Sequence, residues 1–348
     1  MDLITATVRD YYGAKLHGQQ DLKTGACCST DQLSPRLRSI LATIHPEVVN
    51  RFYGCGSPIP DDVDSLTVLD LGCGTGRDVF MLSALVGEGG RVIGVDMTPE
   101  QLAVGRAHQA EQARAFGHQA SNVSFLEGQF EDLSSLGIAD GSVDIVLSNC
   151  ALNLSADKRR VFAEIRRVLR PGGELLFSDV FASRRLPSEV AADPLLVGEC
   201  LGGALYVEDF RRLMTATGWR DFRLLSKRAI AIGHPYAETL VGPMTFWSMT
   251  VRAFKLETLE DCCEDYGQVA TYLGTVPDAP ASFVLDDHHH FIAGKPMLVC
   301  GNTAAMVSET RFGRHFRVDG NRTTHFGRFD CSSSGAGAHD AAPPSSCC

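Results

Sequence analysis

Residues 68–78, Val68-Leu69-Asp70-Leu71-Gly72-Cys73-Gly74-Thr75-Gly76-Arg77-Asp78, decide the fold. Val68, Leu69 and Leu71 make a short apolar run that reads as a buried strand, with Asp70 near its end. Gly72, Gly74 and Gly76 then allow a sharp turn into a helix starting near Arg77. Positive φ is expected at some of these glycines, and the absence of a Cβ leaves room for a ligand against the main chain. Strand, glycine loop and helix N-terminus together form the ligand corner of a doubly wound α/β sheet.

Working outward, the pattern repeats. Helix Arg77 to Val86 leads through Gly87-Glu88-Gly89-Gly90 to a strand, Arg91 to Val95, with Asp96 at its end. A helix from Glu100 to Phe116 precedes a third strand, Val123 to Leu126, and the turn Gly128-Gln129-Phe130-Glu131. A fourth strand, Val143 to Ser148, runs into Asn149 and Cys150; a helix, Asp157 to Leu169, and the turn Arg170-Pro171-Gly172-Gly173 lead to a fifth, Glu174 to Asp179. Strands alternating with helices imply a parallel sheet covered on both faces. Tyr206 to Gly218 reads as a helix, and Trp219 to Ile230 supplies the closing strands. Pro35 to Val49 reads as one helix and Pro243 to Asp265 as mostly helical. Phe283 to Cys300 reads as two short strands around Asp286-Asp287-His288-His289-His290. The expected division is a cofactor domain over 1–230, a smaller α+β domain over 231–330, and a disordered Ser/Gly/Cys-rich tail over 331–348.

The glycine spacing narrows the ligand. A dinucleotide fingerprint reads G-x-G-x-x-G and seats a pyrophosphate on the helix N-terminus. Here the spacing is G-x-G-x-G with Asp70 just before it. A carboxylate there repels a pyrophosphate and suits a ligand carrying an ammonium and a sulfonium. The pattern resembles class I methyltransferases, whose Rossmann-like domain binds S-adenosylmethionine. The resemblance places Asp70, Gly72, Gly74, Gly76 and Arg77 at the methionine end, and Asp96 with Met97 at the ribose. Asp96 lies about 20 residues past the last glycine, where an acidic side chain holds both ribose hydroxyls. Gln129, Phe130 and Glu131 fall at the adenine-contacting turn and Asn149 faces the cofactor. Tyr12 is read either as a lid over the sulfonium, aromatic face to cation, or with Tyr11 as core packing.

Composition excludes several other classes. With 32 Lys+Arg against 42 Asp+Glu the net charge is −10, which argues against nucleic acid or an anionic membrane as partner. No stretch approaches the roughly 20 apolar residues of a membrane span. The N-terminal residues lack a basic region followed by an apolar run, so no signal peptide and a cytoplasmic location are expected. A monomer is expected. Twelve cysteines are scattered with no C-x-x-C pair, which disfavours both a zinc ribbon and a secreted disulfide framework. Reduced thiols with a chemical task fit better.

Ligands of an open sheet sit beyond the carboxyl ends of its strands, so Asn149 and Cys150 face the transferable methyl group. No general base is evident there, and the acceptor is therefore one that has no proton to lose, such as arsenic(III) with its lone pair. A soft trivalent centre is best held by thiolates. Cys55, Cys150 and Cys200 stand in three loops flanked by glycine or asparagine. Singly each reads as a small buried hydrophobe; together they read as one site.

The sequence resembles arsenite S-adenosylmethionine methyltransferases, the algal ones in particular. The matching segments are Asp21 to Cys27, Tyr53 to Gly56, the glycine loop, Gly94-Val95-Asp96-Met97-Thr98, Ser148 to Cys150 and Gly198 to Leu205, continuing into Phe254 to Ala270 and Leu298 to Ala304. The resemblance implies four working cysteines, Cys27, Cys55, Cys150 and Cys200. Cys150 and Cys200 would be the core arsenic thiolates, Cys55 the third ligand of unmethylated substrate, and Cys27 the partner of Cys55 in a turnover disulfide reset by thioredoxin or glutathione. Arsenite, methylarsenite and their glutathione conjugates are the implied substrates.

Cys28 adjoins Cys27, which leaves open which thiol exchanges; Cys73 reads as a small filler. Cys262-Cys263 and Cys347-Cys348 are vicinal pairs read as surface residues without a role. On a strand, His288, His289 and His290 alternate faces, so no metal is assigned to them. Two rival readings are a methyltransferase for another small molecule with structural cysteines, and a non-catalytic thiol-rich protein that sequesters arsenic or metals.

Overall fold

The strand containing Asp70, β1 (Thr67–Leu71), is the centre of the larger sheet in the computed structural model, which describes residues 3–16, 18–26 and 33–331. It pairs in parallel with β2 (Arg91–Asp96) on one side and with β4 (Val143–Asn149) on the other; β3 (Val123–Glu127) lies outside β2. β5 (Leu169–Ala182) extends the sheet beyond β4, and β6 (Leu205–Tyr206) pairs with its end. β7 (Arg223–Ala229) and β8 (Phe246–Phe254) complete the order β3-β2-β1-β4-β5-β8-β7.

The reversal of strand order falls between β1 and β4, so a crevice opens beyond their carboxyl ends. Successive residues of a strand face opposite ways. Val68 packs with Phe80, Leu82, Val92 and Ile145 on one face, while Leu69 and Leu71 pack with Val146, Phe162, Phe177 and Phe210 on the other. Helices Arg77–Val86 and Pro99–Ala115 flank the strands, as do Lys158–Val168 and Val207–Ala216. With both faces covered, the strands need apolar side chains throughout, which is why β1 and β4 read as continuous apolar runs.

Several expectations are corrected. The sheet is mixed rather than parallel, because β8 runs antiparallel to both β5 and β7. β8 occupies the stretch read as helical; all but one of its residues are buried, and a strand covered on both sides shows no alternation to distinguish it from a helix. β8 also carries the main sheet past residue 230. The helix expected over 35–49 is two, Pro35–Leu41 and Pro46–Asn50, since His45 before Pro46 is held extended at ψ 133°. The expected turn Arg170–Gly173 is a bulge within β5, where Val143 pairs with Leu169 but Ile145 with Glu174.

After β8 the chain forms a second layer. β9 (Glu264–Asp265) pairs with a strand near the end of the described residues. β10 (Gln268–Tyr272) is the middle of a three-stranded antiparallel sheet. β11 (Ser282–Val284) and β12 (His290–Ile292), the two short strands expected around the Asp286–His290 run, pair antiparallel, and β13 (Pro296–Val299) and β14 (Phe316–Asp319) flank β10. β15 (Gly327–Arg328) is the partner of β9. Phe254, Tyr272, Phe283, Phe291, Phe312 and Phe316 share its core. Buried Glu174 on β5 binds Arg252 of β8 at 2.5 Å and Arg311 of the second layer, joining the two. Residues 332–348, the expected tail, lie outside the described residues.

Candidate functional site

A cavity lies beyond the carboxyl ends of β1, β2, β3 and β4, where ligands of an open α/β sheet bind. Tyr12, Asp70, Gly72, Gly74, Arg77, Asp96, Met97, Gln129, Phe130, Glu131, Asn149 and Cys150 all line it. Gly76, expected in the same set, does not. Its φ of +91° makes it the left-handed residue entering helix Arg77–Val86, and a Cβ there would stand 2.7 Å from the Phe125 ring. Gly74 is the opposite case. At φ +54° its missing Cβ would meet nothing within 4 Å, so its backbone is open on the side where a ligand would sit.

The lining is acidic. Asp70, Asp78, Asp96 and Glu131 are set against two cations, Arg51 and Arg77; the Arg77 Nη2 lies 2.6 Å from Asp78 and its guanidinium covers Phe52 at 3.3 Å. Burial, then the charges of Asp78 and Asp96, raise the Asp70 carboxyl well above its ordinary range, with Arg77 opposing. Asp96 is raised by burial while N–H groups of Gly74 (2.9 Å) and Thr98 (2.8 Å) hold its charged form. Like-charged carboxylates in one pocket are relieved by a cationic guest. A ligand with an ammonium and a sulfonium meets that demand, and a pyrophosphate does not.

The thiols lie just behind this cavity. Cys150 follows β4 and Cys200 follows helix Pro194–Gly198, each with positive φ, 57° and 62°. Left-handed backbone at a residue with a Cβ is costly and is found where surrounding structure enforces it, often at active sites. The Cys150 N–H donates to the Ser178 carbonyl at 2.8 Å, and the Cys200 thiol donates to the Cys150 carbonyl at 3.0 Å. The sulfurs of Cys150 and Cys200 and a carboxylate oxygen of Asp179 lie within 4.8 Å of one another. Cys55 is fully buried in the same apolar cluster. Burial pushes its thiol up, with the Cys150 sulfur opposing. Only Cys150 of the three lines the cavity; Cys55 and Cys200 stand one layer deeper.

Several supporting residues escaped the sequence reading. The Cys55 carbonyl accepts from Ser248 Oγ (2.8 Å) and Arg228 (3.2 Å), so β7 and β8 fix this loop from below. Asn149, besides lining the cavity, donates to the Gly56 carbonyl (2.8 Å) and to Asp78 (3.1 Å), tying the Cys55 loop to the end of β4. Asp179 is pushed up to about 8 by burial first and then by Cys200, while N–H groups of Val180 (2.8 Å) and Asn153 (3.0 Å) oppose. It is the last carboxylate of the fifth expected strand, and its position alone was the available signal. Glu199 accepts from Tyr11 Oη (2.9 Å) and from Lys23 N (2.5 Å), Thr24 N (2.6 Å) and Thr24 Oγ1.

Glu199 thereby docks residues 23–26 beside the thiols, and Ala26 packs in their cluster. Cys27 and its neighbour Cys28, which follow, lie outside the described residues. Tyr12 lines the cavity, donates to the Gly198 carbonyl at 2.8 Å and stands 3.9 Å from the Cys200 sulfur. Cys73 is buried facing Gly94, where an added Cβ would lie 2.8 Å from its sulfur. His289 is buried against Asp286 at 2.7 Å, His288 is only partly exposed, and His290 is exposed, so the three do not converge. No helix among the described residues is long and apolar enough to cross a membrane.

Residues 62–218 match the methyltransferase domain family, and residues 265–340 match the arsenite methyltransferase C-terminal domain. The chain is 49% identical over 324 residues to an arsenite methyltransferase of Aquipseudomonas alcaligenes, covering 93% of each. It is 39% identical over 318 residues to the Homo sapiens arsenite methyltransferase, covering 90% of this chain and 84% of that one. Its structure resembles the crystal structure of an arsenic(III) S-adenosylmethionine methyltransferase from Chlamydomonas reinhardtii. That match has TM-score 0.83 and 49% identity, and covers 86% of this chain and all of the other.

Proposed function

This chain belongs to the arsenite methyltransferase family, and from that premise we propose that Cys55, Cys150 and Cys200 hold trivalent arsenic as thiolates for S-adenosylmethionine-dependent methylation. The enzyme class is that of the family, an S-adenosylmethionine-dependent methyltransferase. The observation that carries the ligand assignment is the strained pair Cys150 and Cys200, sulfurs gathered with Asp179 at the wall of an acid-rich cavity.

The residues present fit the cofactor, by the open backbone at Gly74 and the surplus of carboxylates. Asp70 and the glycine loop would hold its methionine end, Asp96 its ribose, and Gln129 to Glu131 its adenine. When bound it supplies an electrophilic methyl group on a sulfonium. The protein's own part is orientation. Three thiolates pyramidalise arsenic and point its lone pair towards the cavity, and fixing two reactants in this way supplies much of the rate. Tyr12, between the cavity and Cys200, would close over the sulfonium. No base is required, because the arsenic lone pair is the nucleophile.

Accepting CH3⁺ leaves arsenic formally pentavalent. Two thiols oxidised to a disulfide return two electrons, and a thiol reductant then restores the dithiol. The resemblance assigns this disulfide to Cys27 and Cys55, with thioredoxin or glutathione as reductant, and methylarsenite and glutathione conjugates as further substrates. Such a cycle needs reduced thiols and so suits the cytosol.

Purified protein incubated with arsenite, S-adenosylmethionine and glutathione should yield methylated arsenic by speciation analysis. Cys150→Ser should abolish the product while changing cofactor affinity less than threefold. A variant that still methylates arsenic refutes the ligand assignment. Cofactor binding with no arsenic product in the wild type would favour another small-molecule acceptor.

A further inference from the structure

A second group of thiols lies in the C-terminal layer, away from the cavity. Cys263, Cys300 and Cys331 are all buried, and their three sulfurs lie within 4.8 Å of one another. They come from three separate segments. Cys263 immediately precedes β9, Cys300 is the N-cap of helix Gly301–Ser308, and Cys331 follows β15. Apart from the pairing of β15 with β9, the end of the chain is attached there by the Phe329 N–H bond to the Cys263 carbonyl at 2.8 Å. Phe329 packs against the three cysteines.

We infer that Cys263, Cys300 and Cys331 form a second trithiolate site that takes trivalent arsenic and fastens the C-terminal segment to its domain. The inference goes beyond the methylation site, since none of these residues lines that cavity. A pyramidal thiophilic centre with bonds of about 2.3 Å draws three sulfurs to roughly 3.5 Å apart, a contraction of little more than about an ångström from the spacing present. Arg223 lies 3.8 Å from the Cys300 sulfur and Thr303 Oγ1 3.3 Å from it. The Thr303 N–H at 3.4 Å, in the first turn of the helix, also points to that sulfur.

Coordination number favours arsenic over zinc. Structural zinc takes four ligands, whereas three are gathered here among the described residues, and the side chains besides the other thiols that hydrogen-bond the Cys300 sulfur are Thr303 Oγ1 at 3.3 Å and Arg223 at 3.8 Å. Neither belongs to the usual zinc donor set. A trivalent pyramidal centre needs three ligands and carries its lone pair in the fourth direction. Charge points the same way. Three thiolates leave zinc with net −1 and arsenic(III) neutral, and the Arg223 cation is already shared by Asp221 at 2.7 Å and Asp286 at 3.6 Å. Binding involves no change of oxidation state: three S–H and three As–OH bonds are exchanged for three As–S bonds, and three waters leave.

The full-length chain, reduced and desalted, is incubated with excess arsenite, desalted again and assayed for arsenic per chain by elemental mass spectrometry. Cys331→Ser, at the edge of the domain, should lower bound arsenic by about one per chain. Cys262→Ser should leave it unchanged, because the Cys262 thiol donates instead to Glu264 at 2.8 Å. Arsenite should also slow proteolysis around residue 328 at least tenfold in the wild type and not in Cys331→Ser. Unchanged stoichiometry in both Cys331→Ser and Cys300→Ser overturns the proposal. So does an equal loss in Cys262→Ser, or one zinc per purified chain that disappears in Cys331→Ser. The Cys150→Ser protein should keep this site while losing methylation, so the two assignments fail separately.

Discussion

Glu199→Gln isolates how the loop before Cys27 is held. The Glu199 carboxylate is fully buried and accepts from four donors, the hydroxyls of Tyr11 and Thr24 and the N–H groups of Lys23 and Thr24. Oε1 takes Tyr11 and Lys23, and Oε2 takes both Thr24 donors. A glutamine offers one carbonyl oxygen, so its NH2 must face two of those donors whichever way the amide turns. Bonds to a charged group contribute about 1.5–3 kcal/mol each and ordinary ones about 1. Losing two and weakening two therefore costs about 3–5 kcal/mol of docking. The other main-chain anchor nearby is the Gly25 N–H bond to the Ile232 carbonyl at 3.0 Å. The segment should then open at least a hundredfold more often, at roughly 1.4 kcal/mol per tenfold. Hydrogen exchange by mass spectrometry on peptides spanning 20–26 reads this directly. Exchange should accelerate there by that factor while peptides from β1 and β4 stay unchanged. Unaltered exchange at Lys23 and Thr24 would refute the account of Glu199 as the clamp of this loop.

Asp179 predicts a pH dependence. Burial pushes its carboxyl up to about 8 in the folded chain, from the ordinary aspartate value of about 4. A raised folded pKa favours the protonated form, so its contribution is fully present below about pH 4 and is lost as pH rises through 8. Urea unfolding of wild type and Asp179→Asn at pH 5, 7 and 9 should show the difference moving in favour of the variant by several kcal/mol; a constant difference would refute the shift. The two glycines separate ligand space from fold. Gly76→Ala, with its Cβ 2.7 Å from Phe125 and left-handed backbone, should destabilise by about 2–4 kcal/mol in denaturant titration. Gly74→Ala should cost only about 1–2 kcal/mol, from its left-handed backbone, yet weaken S-adenosylmethionine binding tenfold or more by calorimetry.

The residues around Asp70 were legible in sequence because their chemistry is local. A strand that ends in glycines can only turn, and strands β1 to β4 alternate with helices whose boundaries fall within a residue or two of expectation. The lining of the cavity followed from topology, since every loop after those strands opens on the same side. β8 did not, because an apolar run buried on both faces carries no periodicity.

Sequence by itself determined the cofactor corner, the fold class and the family, because each rests on short segments whose residues act on their neighbours. Tertiary structure alone decided which residues support the thiols. Glu199 and Thr24 lie 175 positions apart, and Ser248 reaches the Cys55 carbonyl across 193. The left-handed backbone of Cys150 is set by a long-range bond from its N–H to the Ser178 carbonyl of β5, whereas that of Cys200 is local, closing helix Pro194–Gly198 with its N–H on the Val197 carbonyl. The gathering of Cys263, Cys300 and Cys331 depends equally on long-range pairing, β9 with β15, that no pattern within either strand encodes. Contacts closed by the fold of the whole chain leave no mark on spacing, and they were visible only once the sheets were assembled.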